Sequence, residues 1–170
     1  MAAWENFWLF IDKGGDVLLL IFAVAVLLWA FIFEKFYFIK KIAPGLIEEK
    51  LAAWKAQKDR GSWWAMRVRE SHIADIKEQM SKRIGMIKTI VVLCPLLGLL
   101  GTVTGMMVVF DVMPVSGANA RMMASGISMA TIPTMAGMVV ALSGIYLGSL
   151  IEKKVENISD SLGEKFVVTA

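Results

Sequence analysis

Three long stretches without a charged side chain dominate the pattern of polar and apolar positions along the chain. They cover residues 17–33, 89–110 and 122–151, and none shows the alternation of a half-buried strand. A helix needs roughly 20 residues to cross the hydrocarbon core of a membrane. Because backbone groups in lipid must bond internally, we interpret these stretches as membrane helices rather than barrel strands. The predicted fold class is an all-α membrane protein with three transmembrane helices.

The segments outside these stretches also have a helical period. Pro44 fits the first turn of a helix, and Arg60-Gly61-Ser62 indicates a break before the next one. Apolar residues then recur every three or four positions before the second span and after the third. These two stripes are Ile73, Ile76, Met80, Ile84, Ile87 and Val91, and Val155, Ile158, Leu162 and Phe166. We expect the second and third helices to extend into the cytoplasm and to pack on each other through the stripes.

The distribution of basic residues predicts the orientation. Thirteen of the 18 Lys and Arg residues lie in 34–88, and the remainder are one in 1–16, one in 111–121 and three in 152–170. The positive-inside rule places the basic region and the C-terminus in the cytoplasm, with the N-terminus outside. The predicted segments are a periplasmic N-terminal segment (1–16), transmembrane helices (17–38, 89–110 and 122–151), a cytoplasmic helical region (39–88), a periplasmic hairpin (111–121) and a cytoplasmic C-terminal helix (152–170).

Composition excludes several classes of protein. Hydrophobic residues make up 57% of the chain, which argues against a soluble enzyme, and we expect neither catalytic residues nor a cofactor. The single Cys94 and the single His72 offer no internal disulfide and no metal-ligand cluster. Although the pI is about 9.0, acidic residues are interspersed among the basic ones. We therefore expect contact with lipid headgroups rather than with nucleic acid.

The spans differ in the size of their side chains. The first is bulky on every side, as is typical of a helix in contact with lipid, whereas the other two each carry a face of small residues. These are Gly98, Gly101 and Gly105 in the second span, and Gly126, Ala130, Gly137, Ala141, Gly144 and Gly148 in the third. Small residues at such spacing allow close backbone approach. We expect the second and third helices to form an inner wall that lines a central cavity.

Each helix of this wall contains a proline. Proline lacks a backbone N–H, so Pro95 leaves the carbonyl of Val91 without its helical donor, and Pro133 does the same to the carbonyl of Met129. In hydrocarbon, such carbonyls must face protein, a hydroxyl or water. They are candidate acceptors along a polar path.

Thr102 and Thr134 lie among these features. Each hydroxyl could bond the backbone of its own helix, as threonine often does, or could face a polar path, and spacing alone leaves both open. None of the three spans contains Asp, Glu, Lys, Arg or His. Because a membrane proton path normally includes a titratable group, the chain alone cannot be a complete proton carrier. A conducting role would need several copies, a partner that carries a carboxylate, or both.

The motifs Pro95-Leu-Leu-Gly-Leu-Leu-Gly-Thr-Val-Thr-Gly105 and Gly126-Ile-Ser-Met-Ala-Thr-Ile-Pro-Thr-Met-Ala-Gly137 resemble the paired signature of the ExbB/TolQ/MotA proton-channel family. The resemblance covers nearly the whole chain and is greatest to a short ExbB of a TonB energising system. It implies a homopentamer in the bacterial inner membrane around an ExbD-like partner with a transmembrane aspartate. Such a complex uses the proton motive force to energise a TonB-like protein for uptake of iron-siderophores, haem or cobalamin across the outer membrane.

The resemblance also implies that Thr102 and Thr134 are the family's two pore threonines. The family often has a glutamate early in the third span, where this chain has Met129. That difference shifts proton binding onto the partner. Three alternatives stay open: a passive scaffold for partner helices, a subunit of a small-molecule transporter, and a TolQ-like subunit of the envelope-constriction machinery.

Overall fold

The structure, a computed structural model, is helical in every element over the residues that it describes. It describes the backbone of residues 2–56, 62–116 and 120–166, and the side chains of residues 14–56, 62–111 and 121–166. The elements are α1 (Ala2–Tyr37), a π-helical segment π1 (Phe38–Ile42), α2 (Ala43–Ala56), α3 (Trp63–Ser81), α4 (Ile84–Ser116) and α5 (Ala120–Lys165). Three helical stretches are long and apolar enough to cross a membrane. The predicted all-α membrane fold is confirmed, and the direction of crossing stays a prediction.

The chain divides into two compact units. The first contains Met1–Ala30 and Lys88–Ile145, and the second contains Phe31–Ile87 and Tyr146–Ala170. The first unit holds the greater part of the three uncharged runs. The second unit holds the whole of α2 and α3, which contact each other.

Helix α1 begins earlier than the predicted first membrane helix and contains a kink. At the kink, Gly15 has φ 65° and ψ −169°, a conformation that glycine adopts because it has no Cβ. After the kink, buried side chains recur at helical spacing, at Leu18, Ile21, Leu28 and Ile32. The other faces of α1 expose bulky apolar side chains, which is typical of a helix that packs on protein along one stripe and faces lipid elsewhere.

The starts of α2 and α3 agree with the sequence signals. Pro44 is the second residue of α2, as predicted from its preference for the first turn. Helix α3 begins at Trp63, and Ser62 before it is extended, with φ −68° and ψ 148°. The start of a helix after Ser62 is therefore confirmed. Residues 57–61, which include the predicted Arg60-Gly61, lie outside the described residues, as do residues 117–119 of the predicted hairpin.

The stripe from residue 73 to 91 lies on two helices rather than on one continuous helix. Helix α3 ends at Ser81 and α4 begins at Ile84. Between them, Arg83 has φ 71°, the left-handed conformation that interrupts a right-handed helix. This conformation costs a non-glycine residue about 1–2 kcal/mol, so neighbouring contacts must stabilise it.

The end of α1 supplies those contacts within the second unit. The Lys35 ammonium donates a hydrogen bond to the carbonyl of Lys82 at 2.8 Å, which satisfies an acceptor that the broken helix leaves without its usual donor. The guanidinium of Arg83 forms an ion pair with Glu34. Glu34 and Lys35, which are adjacent in α1, therefore stabilise the backbone at Lys82 and Arg83, where the helix is interrupted.

Both apolar stripes are largely buried despite the break. Ile73 and Ile158 are half-buried, and the remaining members are buried: Ile76, Met80, Ile84, Ile87, Val91, Val155, Leu162 and Phe166. Helix α5 runs unbroken past the end of its apolar run to Lys165, which confirms that the third membrane helix continues into a polar segment.

Further polar contacts join helices of the second unit. Lys50 of α2 and Asp75 of α3 form an ion pair at 2.7 Å. The guanidinium of Arg69 donates to the carbonyl of Phe166 at 2.5 Å and to that of Gly163 at 2.8 Å. Because the last carbonyls of a helix have no intrahelical donor, Arg69 caps the C-terminal end of α5 from α3.

Candidate functional site

The small residues of α4 lie directly against α5 in the first unit. A Cβ atom added to Gly98 would lie 2.9 Å from the Cα of Thr134, and one added to Gly105 would lie 2.7 Å from the Cα of Ala130. At Gly101, an added Cβ would overlap the side chain of Pro133. These glycines therefore allow the two backbones to approach within a distance that any larger residue would prevent.

The small residues of α5 take part in the same packing. A Cβ added to Gly137 would lie 2.5 Å from the carbonyl oxygen of Cys94, and one added to Gly126 would overlap Val109. At Gly144 an added Cβ would lie 2.5 Å from a methyl group of Val91. Ala130 and Ala141 are buried too. Gly148 is different, because its nearest neighbour would be Ile87 at an ordinary 3.7 Å.

This packing differs from the expectation that the small faces line a central cavity. Within a single chain, residues of the opposite helix cover six of the predicted glycines: Gly98, Gly101, Gly105, Gly126, Gly137 and Gly144. The physical reason is that two helix faces of small residues, each with residues every three or four positions, allow the closest approach of the two backbones.

The two prolines occupy different environments. Pro133 is fully buried, with its ring against Gly101, whereas Pro95 is half-buried. Of the residues whose carbonyls they leave without a helical donor, Val91 is buried and Met129 is half-buried. The role of these two carbonyls as acceptors on a polar path stays a prediction.

The two candidate threonines differ in the helix whose backbone they bond. Thr102 donates its hydroxyl to the carbonyl of Leu99 in its own helix at 2.7 Å. Thr134 instead donates across the helix contact to the carbonyl of Gly98 at 2.9 Å. A carbonyl can only accept, so each threonine uses its single donor on the backbone and retains oxygen lone pairs to accept another hydrogen bond.

The uncharged runs that carry these hydroxyls contain no Asp, Glu, Lys, Arg or His. Cys94 is a buried thiol that donates to the carbonyl of Ile90 at 3.3 Å, as a small apolar residue with a weak donor does. Among the described residues, no group of three or more His, Cys, Asp or Glu side chains could hold a metal ion. The site can therefore offer hydrogen bonds but cannot bind a proton by itself.

Sequence reasoning missed two features. The contact of Gly137 with the Cys94 carbonyl was not predicted, because residue spacing identifies a face of small residues but not the atoms of the neighbouring helix that contact it. The roles of Glu34 and Lys35 were missed because charges directly after an apolar run were interpreted only as a topology signal.

Long apolar helices packed through glycine contacts define this chain as a multi-pass membrane protein of the helical class. The model of the MotA/TolQ/ExbB proton channel family matches residues 39–164, which include α2 to α4 whole and nearly all of α5. The chain belongs to this family.

Two relatives extend the comparison. A protein named as biopolymer transport protein ExbB-like 1, from Synechocystis sp., is 49% identical over 61 residues, which are 34% of this chain and 24% of that protein. A protein named as biopolymer transport protein ExbB homolog, from Methanothermobacter thermautotrophicus, is 27% identical over an alignment of 180 residues that covers 88% of this chain and 64% of that protein. The chain spans less than two thirds of the length of either relative.

Proposed function

We propose that the chain is an ExbB-like subunit of a bacterial inner-membrane proton channel that energises TonB-dependent transport across the outer membrane. Family membership and the ExbB-like names of two relatives support this assignment. In the proposed complex, several copies, five by analogy with the family, surround the transmembrane helices of an ExbD-like partner. The N-terminus faces the periplasm, as the distribution of basic residues indicates. The chain acts without enzymatic chemistry of its own.

One observation carries the proposal: a polar contact lies between two helices whose uncharged runs contain no Asp, Glu, Lys, Arg or His. The Thr134 hydroxyl bonds the Gly98 carbonyl at the α4–α5 contact, and the spans contain no carboxylate. Met129 stands where the family often has a glutamate. The proton must therefore be held by a carboxylate of the partner, and the threonines serve as its hydrogen-bond partners.

Substitution of Thr134 by valine tests the proposal, because valine keeps the shape and removes the hydroxyl. With the ExbD-like and TonB-like partners present, we expect Thr134→Val to abolish uptake of an iron-siderophore while expression and oligomer size stay unchanged. Thr134→Ser should retain much of the uptake, since it keeps the hydroxyl. Thr104→Val is the matched control, because the Thr104 hydroxyl bonds only carbonyls of its own helix.

A passive scaffold is the second candidate, and one observation favours it. Both threonine donors are already used on backbone carbonyls, as in a contact that is purely structural. The double variant with valine at residues 102 and 134 separates the two functions. Full uptake and normal proton flux in that variant would contradict the channel proposal and favour the scaffold. Exchange of the partners for Tol-type subunits would test a TolQ-like role in the same cells.

A further inference from the structure

A cavity of about 460 Å³, lined largely by charged residues, lies in the second unit beside the break between α3 and α4. Its wall includes the end of α1, the start of π1, the last turns of α3 and both residues of the break. Acidic and basic side chains are present in equal number, three of each, so the wall carries no net charge. A neutral ligand that bears both signs of charge would suit such a wall better than a simple anion or cation.

Most of these charges already have partners within the second unit. Glu34 pairs with Arg83, and Asp75 pairs with Lys50 and accepts a hydrogen bond from Gln79. Three charged side chains of the wall, those of Lys35, Glu78 and Lys82, form no ion pair within the described part of the chain. Of these, Lys35 already donates a hydrogen bond to the carbonyl of Lys82. One carboxylate and one ammonium group are therefore left to meet a ligand, four residues apart along the chain.

The position of the cavity along the chain indicates the kind of ligand. Its wall includes Phe31 of α1 and Phe38 of π1, which lie on either side of the point where the first uncharged run ends at Phe33. This is the part of a membrane helix that reaches the lipid headgroups. The two aromatic rings give the wall an apolar part beside its charges, as a ligand with a charged end and a hydrocarbon end requires.

We propose that this cavity binds the zwitterionic headgroup of a phospholipid that carries a primary amine, as in phosphatidylethanolamine. Glu78 accepts hydrogen bonds from the amine of the lipid. Lys82 and the remaining N–H donors of Arg83 bind the phosphate, since a guanidinium has five donors and Glu34 does not use them all. The residues that bind the lipid also form the break, so a bound headgroup stabilises the left-handed conformation of Arg83.

The test measures lipid retention by the full-length oligomer in detergent, using native mass spectrometry. The synthetic lipids have identical acyl chains and ethanolamine, choline or glycerol headgroups. Choline is a quaternary ammonium that cannot donate a hydrogen bond, and a glycerol headgroup has no amine. We expect the ethanolamine lipid to be retained about tenfold more than the choline lipid, a factor within the range of one charge-assisted hydrogen bond.

Two variants assign the preference to the cavity. Glu78→Gln should remove the preference for the ethanolamine lipid over the other two, and Lys82→Gln should weaken retention of every phospholipid. Glu70→Gln and Lys77→Gln are the matched controls, because both residues are exposed on α3 and lie outside the cavity wall. Equal retention of ethanolamine and choline lipids by the unmodified chain would overturn the proposal. An unchanged preference in Glu78→Gln, or tight binding of soluble phosphoethanolamine without any lipid preference, would overturn it as well.

Discussion

The contact of Gly137 with α4 allows a quantitative test of how closely the two helices pack. An alanine at Gly137 would place its Cβ 2.5 Å from the Cys94 carbonyl oxygen and 3.3 Å from the Cα of Gly98. An ordinary contact between carbon and a carbonyl oxygen is about 3.3 Å, so the helices would have to separate by roughly 0.8 Å. Both neighbouring atoms belong to the backbone, and neither can turn away as a flexible side chain could.

We expect Gly137→Ala to lower the free energy of unfolding by about 1–3 kcal/mol, the usual cost of overpacking. Gly148→Ala is the matched control on the same helix, because its Cβ would have an ordinary 3.7 Å contact with Ile87. There the loss of glycine's backbone freedom should stabilise the helix by up to about 1 kcal/mol. Denaturation of the purified chain by SDS in mixed micelles, followed by circular dichroism, measures both. Equal stability of the two variants would refute the packing argument.

Three further predictions concern the second unit. Ile84→Asp should lower the free energy of unfolding by about 2–5 kcal/mol, because it buries a charge among apolar neighbours. Normal stability and oligomer size in this variant would contradict the burial of the apolar stripe that contains Ile84. Arg69→Gln should speed amide hydrogen exchange in the last turn of α5, because it removes donors from the final carbonyls. Arg67→Gln, which removes only an exposed contact at 3.9 Å, should not change that exchange. The hydrogen bond from Lys50 lowers the pKa of Asp75 below its ordinary value, so the pair stabilises the fold above the unfolded pKa. That stability should be lost as the pH falls through the lowered pKa in a thermal melt, and Asp75→Asn should remove this acid dependence.

The helices were predictable from the sequence because their signals are periodic and redundant. The uncharged runs fix the membrane helices, and the stripes from Ile73 to Val91 and from Val155 to Phe166 fix which faces are buried. The break at Lys82 and Arg83 was not predictable. Neither residue favours a left-handed backbone, and the break depends on Glu34 and Lys35, which lie almost 50 positions earlier. A local pattern carries no information about such a partner.

The candidate site was predictable as a set of residues but not as a geometry. Spacing identified the small faces, yet it could not show that they pack on each other rather than line a cavity. The threonines illustrate the same limit. Thr102 and Thr134 belong to similar patterns, but only Thr134 reaches the neighbouring helix, because Gly98 brings the α4 backbone within 2.9 Å of its hydroxyl.

The hydrogen bond between Thr134 and Gly98 leads to a last prediction about the proposed complex. Since the hydroxyl donates to a carbonyl, its oxygen can only accept from the partner. It can therefore bond a protonated carboxyl group but not an ionised carboxylate, so it favours the state in which the partner holds a proton. Removal of the hydroxyl should make that proton harder to bind.

Infrared spectroscopy of the assembled complex can measure this directly, through the C=O band of the partner's protonated carboxyl group. We expect Thr134→Val to move the midpoint of that band's titration to lower pH by about 0.5–1 unit, which corresponds to one neutral hydrogen bond of roughly 1 kcal/mol. Thr134→Ser should leave the midpoint near its original value. A shift to higher pH would mean that the hydroxyl donates to the carboxylate instead, and that the bond to Gly98 breaks when the partner is in place.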